Sequence, residues 1–318
     1  RAAQAGTNPA QSDVLALYGK RIKLHDLELR NGTSACLRTG GNNASGGGVG
    51  TIGGSLFQNI SIGTCGREAV YFAGPPDTII ENLGAYDASQ SAANTYSIFY
   101  QENSTFQMDN FHFFATGSGA RAIYGLNMDA GGSEVSNGRL EGSATQLRMK
   151  RNSTAVNMRM YSPFPFGNAA NTAVCALLEG NINRLLGGRC TNWRPVEALT
   201  TQHQNYGIQF GLAGDSASGG DIVSGMIFEN FDLISPFLFA NSLAVEINAL
   251  GYTENAGGAT TFGGTYPAKS HIRYTQSGTV IDADIDGSPF TNPEALQLNR
   301  PTAQGAEVKI APATGATY

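Results

Sequence analysis

Charged residues and long apolar runs are both scarce in this chain. Asp, Glu, Lys and Arg make up 14% of the 318 residues, and the net charge is −5. A protein that binds duplex nucleic acid needs a basic excess to displace counterions from the phosphates, so nucleic acid is excluded as the expected partner. No stretch approaches the roughly 18 consecutive apolar residues of a membrane-spanning helix, so membrane insertion is not expected either.

Cysteine is also rare, and its spacing excludes the common metal and redox motifs. Cys36, Cys65, Cys175 and Cys190 show no CxxC pair, which zinc and thioredoxin-like sites require. Because free cysteine is among the most buried residue types, we expect four buried thiols. One or two disulfides are the alternative if the protein is extracellular. Three of the four histidines lack Cys or carboxylate partners at metal-ligand spacing, so neither a metal nor a cofactor is expected.

Glycine is abundant, whereas proline is not. The chain has 41 Gly and 12 Pro, and its apolar fraction of 41% is too high for a disordered protein. Short apolar stretches alternate with breaks of Gly, Ser and Asn, and no amphipathic helix of ordinary length interrupts them. This pattern predicts an all-β protein with many short strands and tight turns.

One six-residue template recurs along the chain: apolar, any, Asn, apolar, any, apolar. Asp or Gly replaces the Asn in some copies. The central residues of the copies are Asp26, Asn59, Asn82, Asn110, Asn137, Asn157, Gly187, Asn230 and Asp282. From Asn59 to Asn157 successive copies are separated by 20 to 28 residues, which is typical of a solenoid.

The central Asn has a clear physical role. Side chains on a strand alternate between faces, so the apolar residues two before and one after the Asn reach the same core only if the chain bends. Asn, Asp and Gly tolerate the left-handed backbone conformation that allows such a bend, and stacked Asn side chains can hydrogen-bond to one another. We therefore predict that the residues after the bend stack inside the solenoid. They are Leu27, Ile60, Leu83, Phe111 and Met158.

These cycles resemble the pectate-lyase-like superfamily of right-handed parallel β-helices over roughly residues 22–285. The resemblance implies an all-β, right-handed parallel β-helix of roughly nine to ten rungs. The superfamily includes secreted polysaccharide lyases and hydrolases, and bacteriophage tailspikes that are commonly homotrimers. The catalytic strings of pectate lyases and polygalacturonases are not found here. The alternative architecture is a β-sandwich or jelly roll, which predicts strict alternation and no repeated bend.

The chain is expected to divide into an N-terminal arm and solenoid cap (1–20), a β-helix domain (21–290) and an extended C-terminal tail (291–318). A cap is needed because an open solenoid end exposes apolar core and unpaired backbone.

Two outward-facing columns follow from the template, because the second and fourth residues after each bend lie between core positions. The first column is predicted to contain Glu28, Ser61, Gly84, His112, Arg139, Arg159, Arg189 and Asp232. The second is predicted to contain Arg30, Gly63, Tyr86, Phe114, Glu141, Tyr161, Thr191 and Ile234. The middle of this surface is basic and aromatic, as expected of a site for an acidic sugar polymer.

We assign candidate roles on this surface. Tyr86, Arg139, Arg159 and Arg189 are the candidate substrate-binding residues, and His112, Glu141 and Tyr161 are the candidate catalytic residues. For elimination on a uronic acid, Arg neutralises the carboxylate while His or Tyr moves a proton. Hydrolysis needs a carboxylate pair, in which Asp109 or Glu179 would join Glu141. The alternative is an ordinary solvated face on which Arg stems cover apolar surface.

The expected function is that of a tailspike-like or tail-fibre-like domain that binds a bacterial surface polysaccharide at the virion surface. Whether it also depolymerises that polysaccharide is left open. One alternative is a secreted, extracellular polysaccharide lyase or glycoside hydrolase. Another is a non-catalytic adhesin or structural solenoid. A homotrimer is expected, with Tyr71, Phe99 and Tyr124 forming an outer aromatic column that a neighbouring subunit covers.

Overall fold

The structure, a computed structural model, describes most of the predicted solenoid. The described residues are 13–17, 21–40, 54–74, 76–92, 95–102, 104–115, 122–161, 174–191, 206–212, 219–231, 236–252, 263–264, 267, 270–276, 279–285 and 297–299. Every regular element in these ranges is a β-strand. No helix in the described ranges is long and apolar enough to cross a membrane.

The strands form two sheets. Sheet A contains β1 (Leu15–Leu17), β3 (Leu37–Thr39), β5 (Val70–Phe72), β7 (Phe99–Gln101), β9 (Tyr124–Met128), β11 (Thr145–Lys150), β13 (Val174–Glu179), β15 (Tyr206–Phe210), β17 (Phe237–Phe239) and β19 (Gly263–Gly264). Sheet B contains β2 (Lys23–Gly32), β4 (Leu56–Cys65), β6 (Thr78–Tyr86), β8 (Phe106–Phe114), β10 (Glu134–Glu141), β12 (Thr154–Tyr161), β14 (Arg184–Thr191), β16 (Asp221–Glu229), β18 (Val245–Tyr252), β20 (Ser270–Gln276), β21 (Thr279–Ile285) and β22 (Gln297–Asn299).

Consecutive strands alternate between the two sheets, and neighbours within each sheet run parallel from β1 to β20. The chain is therefore a parallel β-helix of about ten rungs, as predicted, and the sandwich alternative is wrong. The first strand, β1, lies within the predicted arm and pairs with β3. The boundaries of the three predicted segments remain predictions.

Left-handed residues bend the strands of sheet B, as the template predicts. Each of the eight strands from β2 to β16 contains a bend residue with a φ between 53° and 71°. These residues are Asp26, Asn59, Asn82, Asn110, Asn137, Asn157, Gly187 and Gly225. Each bend divides its strand into two arms, so sheet B presents two outer faces. We call them the first-arm face, before the bend, and the second-arm face, after it.

The Asn side chains form a ladder along the bend. The side-chain amide donates to the preceding rung in four places: Asn59 to Asp26 at 2.9 Å, Asn82 to Asn59 at 2.9 Å, Asn110 to Asn82 at 2.5 Å, and Asn157 to Asn137 at 2.7 Å. Asn137 departs from this pattern and donates to Asp109 at 2.7 Å. The predicted stacking of Asn side chains is thus confirmed, with one change of partner.

The predicted core column is also confirmed. Leu27, Ile60, Leu83 and Phe111 pair in register on successive strands. Phe111 pairs next with Gly138, where an added Cβ would lie 2.2 Å from the Phe111 ring and 2.6 Å from Met158. Glycine therefore makes room for two large side chains. Met158 is fully buried, whereas Leu27, in the first rung of sheet B, is only partly buried.

The expectation of four free thiols is wrong. Cys36 is bonded to Cys65, and Cys175 is bonded to Cys190. The partners are 29 and 15 residues apart in sequence, but winding of the chain brings their Cα atoms to 5.7 Å and 6.0 Å. All four cysteines are buried, as expected, and they form cross-links in the core.

The last two copies of the template were placed wrongly. Strand β16 bends at Gly225, and Asn230 follows the end of that strand with its own positive φ. Arg189 therefore pairs with Ile227, which takes the position predicted for Asp232, and Glu229 takes that of Ile234. Asp232 and Ile234 lie outside the described residues. Strand β21, which contains Asp282, runs antiparallel to β20, so the parallel stack ends one strand earlier than predicted.

The predicted outer column of Tyr71, Phe99 and Tyr124 is wrong: Tyr71 is buried, and Tyr100 and Asn127 follow it in register in place of Phe99 and Tyr124. Phe99 is fully buried because it pairs with the core residues Val70 and Leu126. Its neighbour Tyr100 pairs instead with Tyr71, and the two ring centroids are 5.3 Å apart. The homotrimer expected from this column stays a prediction.

Candidate functional site

All seven candidate site residues lie on the second-arm face of five adjacent strands. Gly84, His112, Arg139, Arg159 and Arg189 are in register on β6, β8, β10, β12 and β14. Tyr86, Phe114, Glu141, Tyr161 and Thr191 form the parallel column. The two columns predicted from the template are therefore correct as far as β14, and neighbouring positions are about 4.8 Å apart.

Glu141 binds two members of the basic column at once. Nε2 of His112 lies 2.8 Å from Oε1 of Glu141, and Nε of Arg139 contacts the same oxygen. The hydrogen bond with His112 and the charge of Arg139 hold the pKa of Glu141 below its ordinary value, although partial burial opposes this. Glu141 is therefore ionised at neutral pH, which suits a residue that orients His112 and Arg139 and not one that donates a proton.

Arg139 also contacts the next rung. Its guanidinium lies over the ring of Tyr161, 5.2 Å from the centroid, at a distance typical of a cation–π contact. Three candidate residues on β10 and β12 thus form one connected group. This contact fixes Arg139 between an anion and an aromatic ring, so its charge is partly neutralised before any ligand binds.

Arg159 is placed differently. Its side chain is exposed and has neither an ion pair nor a hydrogen bond to any residue in the described ranges. It lines an open groove of about 570 Å³ together with His112 and Arg139. The groove also contains Gly84, where an added Cβ would have no atom within 4 Å. The missing side chain leaves space beside His112, and Arg159 is available to an anion in that space.

Arg189 is already paired within the protein. Its Nη1 lies 3.1 Å from Oε1 of Glu229, and the hydroxyl of Thr191 donates to the other carboxylate oxygen at 2.6 Å. The sequence did not reveal this carboxylate, because the late template copy was aligned on Asn230. Arg189 is consequently a weaker candidate for anion binding than Arg159.

The ring of Tyr86 is enclosed. It stacks against Phe114 with centroids 5.5 Å apart, and it covers Gly63, where an added Cβ would lie 2.1 Å from the ring. The guanidinium of Arg30 lies 5.7 Å from its centroid. Because neighbours occupy both sides, the ring edge and hydroxyl of Tyr86, and not its flat face, are available to a sugar.

Neither Asp109 nor Glu179 joins Glu141 on this face, and Glu229, which does lie on it, is three strands away from Glu141. Asp109 lies on the first-arm face, where hydrogen bonds from Ser136 and Asn137 hold its pKa below the ordinary value. Glu179 belongs to sheet A and binds Arg148. The carboxylate pair that hydrolysis requires is therefore not formed by these residues.

The face changes character beyond β14. Ile227 and Leu250 continue the first column, and Glu229 and Tyr252 continue the second. Leu250 and Tyr252 are 54% and 59% exposed. The sequence did not single out either residue, although the alternation of apolar and polar residues over 245–249 was the signal that could have found them.

Metal binding has no support in the described ranges, where no group of three or more His, Cys, Asp or Glu side chains is placed to hold an ion. Comparison of the chain with models of known protein families, with curated proteins and with solved structures found no match. Inferences about function therefore depend on the geometry of the second-arm face.

Proposed function

We propose that this protein is an extracellular β-helix that binds an acidic polysaccharide on its second-arm face. One observation carries the proposal: the guanidinium of Arg159 is exposed at the edge of an open groove and has no ion pair or hydrogen bond within the described ranges. Arg recognises a carboxylate through two parallel hydrogen bonds. The repeat of the face, about 4.8 Å per rung, suits a polymer that lies across several strands.

Each neighbour of Arg159 has a supporting role in this proposal. Arg139 and Tyr161 form one wall of the site, with the polar edge of Tyr161 available to sugar hydroxyls. Glu141 holds His112 and Arg139 in place. A ligand carboxylate at Arg159 would also reduce the repulsion between Arg159 and the Arg residues that pair with it on both sides.

If the protein cleaves its ligand, elimination fits this group of residues better than hydrolysis. A base, His112 or Tyr161, would take the proton next to the sugar carboxylate while Arg159 stabilises the developing charge. The electrons of the broken C–H bond would form the new double bond as the C–O bond breaks, and the leaving glycosidic oxygen would take a proton from the other of these two residues. Glu141 would act only by orienting His112.

The biological setting is a separate part of the proposal. A bacteriophage tailspike that binds the surface polysaccharide of its host is one candidate, and it would be a homotrimer. A secreted polysaccharide-binding or polysaccharide-cleaving protein is the other. The two buried disulfides favour the second, because disulfides persist in secreted proteins and are rare in the reducing cytosol where a virion is assembled.

The test is a double substitution, Arg139→Ala with Arg159→Ala, measured by titration calorimetry against oligogalacturonate. Loss of two charge-assisted contacts at about 1.5 kcal/mol each should weaken binding by tenfold or more. Arg184→Ala is the matched control, since Arg184 is an exposed Arg on the first-arm face of β14. Equal affinity of the double variant and the control would show that the second-arm face is only a solvated wall.

A further inference from the structure

The first outer column changes from charged to apolar within three strands, and the second ends on an exposed tyrosine. Arg159 is followed in register by Arg189, Ile227 and Leu250, and Tyr161 by Thr191, Glu229 and Tyr252. Three strand spacings are about 14 Å, roughly the length of three sugar residues. A polymer bound at Arg159 and lying along the columns would therefore reach Leu250 and Tyr252.

Leu250 and Tyr252 project outward for a structural reason. Strand β18 has no left-handed bend residue, so its side chains alternate without interruption. Val245, Ile247 and Ala249 are buried, which places Leu250 outside. Tyr252 is the one aromatic residue among the large, exposed hydrophobic side chains of the described ranges, and its ring has no aromatic neighbour there. The Tyr252 side chain is exposed, whereas the ring of Tyr86 is enclosed by its neighbours.

The charge near these two residues is balanced. Glu229 precedes Tyr252 in the second column and is bound by Arg189 and Thr191. Among the described residues, a second acidic sugar would find no unpaired cation beside Glu229. An aromatic face and a branched aliphatic side chain instead suit the apolar face of a neutral sugar and a methyl-bearing substituent on it.

We infer that the ligand is a heteropolysaccharide in which an acidic sugar at Arg159 is followed, about three residues along the chain, by an N-acetylated sugar at Leu250 and Tyr252. This inference rests on the proposed function, and it names the substrate class of the same face. In a polymer that alternates acidic and N-acetylated sugars, the third sugar from any acidic residue is N-acetylated. The spacing of the two contacts therefore matches an alternating repeat whose intervening acidic sugar, at Ile227 and Glu229, turns its carboxylate toward solvent.

Three oligosaccharide probes separate the two contacts. They are a hyaluronan octasaccharide, which alternates glucuronate and N-acetylglucosamine, an octagalacturonate, which is acidic throughout, and a chitin hexasaccharide, which is N-acetylated throughout. We expect the full chain to bind the hyaluronan probe at least tenfold more tightly than either of the others. Titration calorimetry with each probe measures this difference.

Substitutions test whether Leu250 and Tyr252, the apolar patch, cause this difference in affinity. Tyr252→Ala and Leu250→Asn should each weaken hyaluronan binding by about fivefold or more and leave octagalacturonate binding within twofold of the parent. Ile79→Ala is the matched control, because Ile79 is an exposed apolar residue on the first-arm face. It should leave the binding of every probe unchanged.

The remaining outcomes count against specific parts of the argument. If neither acidic probe binds the parent protein, the proposed function fails and this inference fails with it. If both acidic probes bind equally, or if Tyr252→Ala leaves the hyaluronan affinity unchanged, only the inference is overturned. It is also overturned if Leu250→Asn changes the mass in solution without changing binding, because the patch would then be a contact between copies of the chain.

Discussion

Substitution of Asn82 tests the physical basis of the fold. Asn82 has a φ of 56°, donates to Asn59 and accepts from Asn110. Asn82→Ala removes two exposed hydrogen bonds, worth about 0.5 kcal/mol each, and places a residue with a Cβ and no compensating polar group in the left-handed region, at about 1–2 kcal/mol. The total loss is therefore about 2–3 kcal/mol. Asn82→Asp retains the acceptor for Asn110 and the tolerance for this conformation, so we expect a loss of about 0.5–1 kcal/mol.

The assay is thermal unfolding of both variants at one scan rate, because a chain of this size need not unfold reversibly. At about 2 °C per kcal/mol for a large domain, Asn82→Ala should lower Tm by about 5 °C and Asn82→Asp by about 1–2 °C. Ser61→Ala is the control, since Ser61 is exposed on the second-arm face of the neighbouring strand, and its Tm should stay within about 1 °C of the parent. If Ala and Asp at position 82 have the same Tm, the left-handed bend is not the reason for Asn at these positions.

Three further predictions concern titration, cross-links and charge. The folded-state pKa of Glu141 is lowered, so its stabilising effect is present above the unfolded-state value of about 4.3 and is lost as pH falls through the folded-state pKa. Tm should therefore fall less steeply between pH 5 and pH 3 in Glu141→Gln than in the parent, and parallel curves would contradict this. Replacing both Cys175 and Cys190 with Ser removes a disulfide that spans 15 residues, and this should lower the free energy of unfolding by about 3 kcal/mol. An unchanged Tm, or free thiols in the unfolded and unreduced parent, would show that the disulfide does not form. Arg159→Gln should raise Tm slightly at low salt and weaken glycan binding, and a lowered Tm would indicate an internal partner for Arg159.

The sequence predicted the early rungs well, because a left-handed position restricts the residue type strongly. Asn, Asp and Gly mark the bends, and each bend fixes which residues point inward. The same signal failed at β16, where Gly225 makes the bend and Asn230 adopts a positive φ outside the strand. Glycine is too frequent in this chain to identify one bend by itself. The template therefore aligned on the more conspicuous Asn and moved the late columns out of register.

The candidate site was likewise predictable only in part. His112, Arg139 and Arg159 each lie two residues after a bend, so their place on one surface was predictable from the sequence alone. The packing of Tyr86 over Gly63 was not, because it depends on which rotamer fills the space that glycine leaves. The disulfides were equally hidden, since residues 15 or 29 apart become neighbours only after the length of each rung is known.

The distribution of charge on the second-arm face is what separates a binding site from a solvated wall. Like charges on directly opposite positions of a sheet destabilise it, and Arg139, Arg159 and Arg189 occupy three such positions in a row. Arg139 is compensated by Glu141 and Arg189 by Glu229. Arg159 lies between them, and in the second column its own rung provides Tyr161 in place of a carboxylate. A face that served stability alone would gain from a neutral residue at this position. Among the described residues nothing compensates Arg159, which supports the proposal of an anion from outside the chain, and the open groove beside Arg159 gives that anion access.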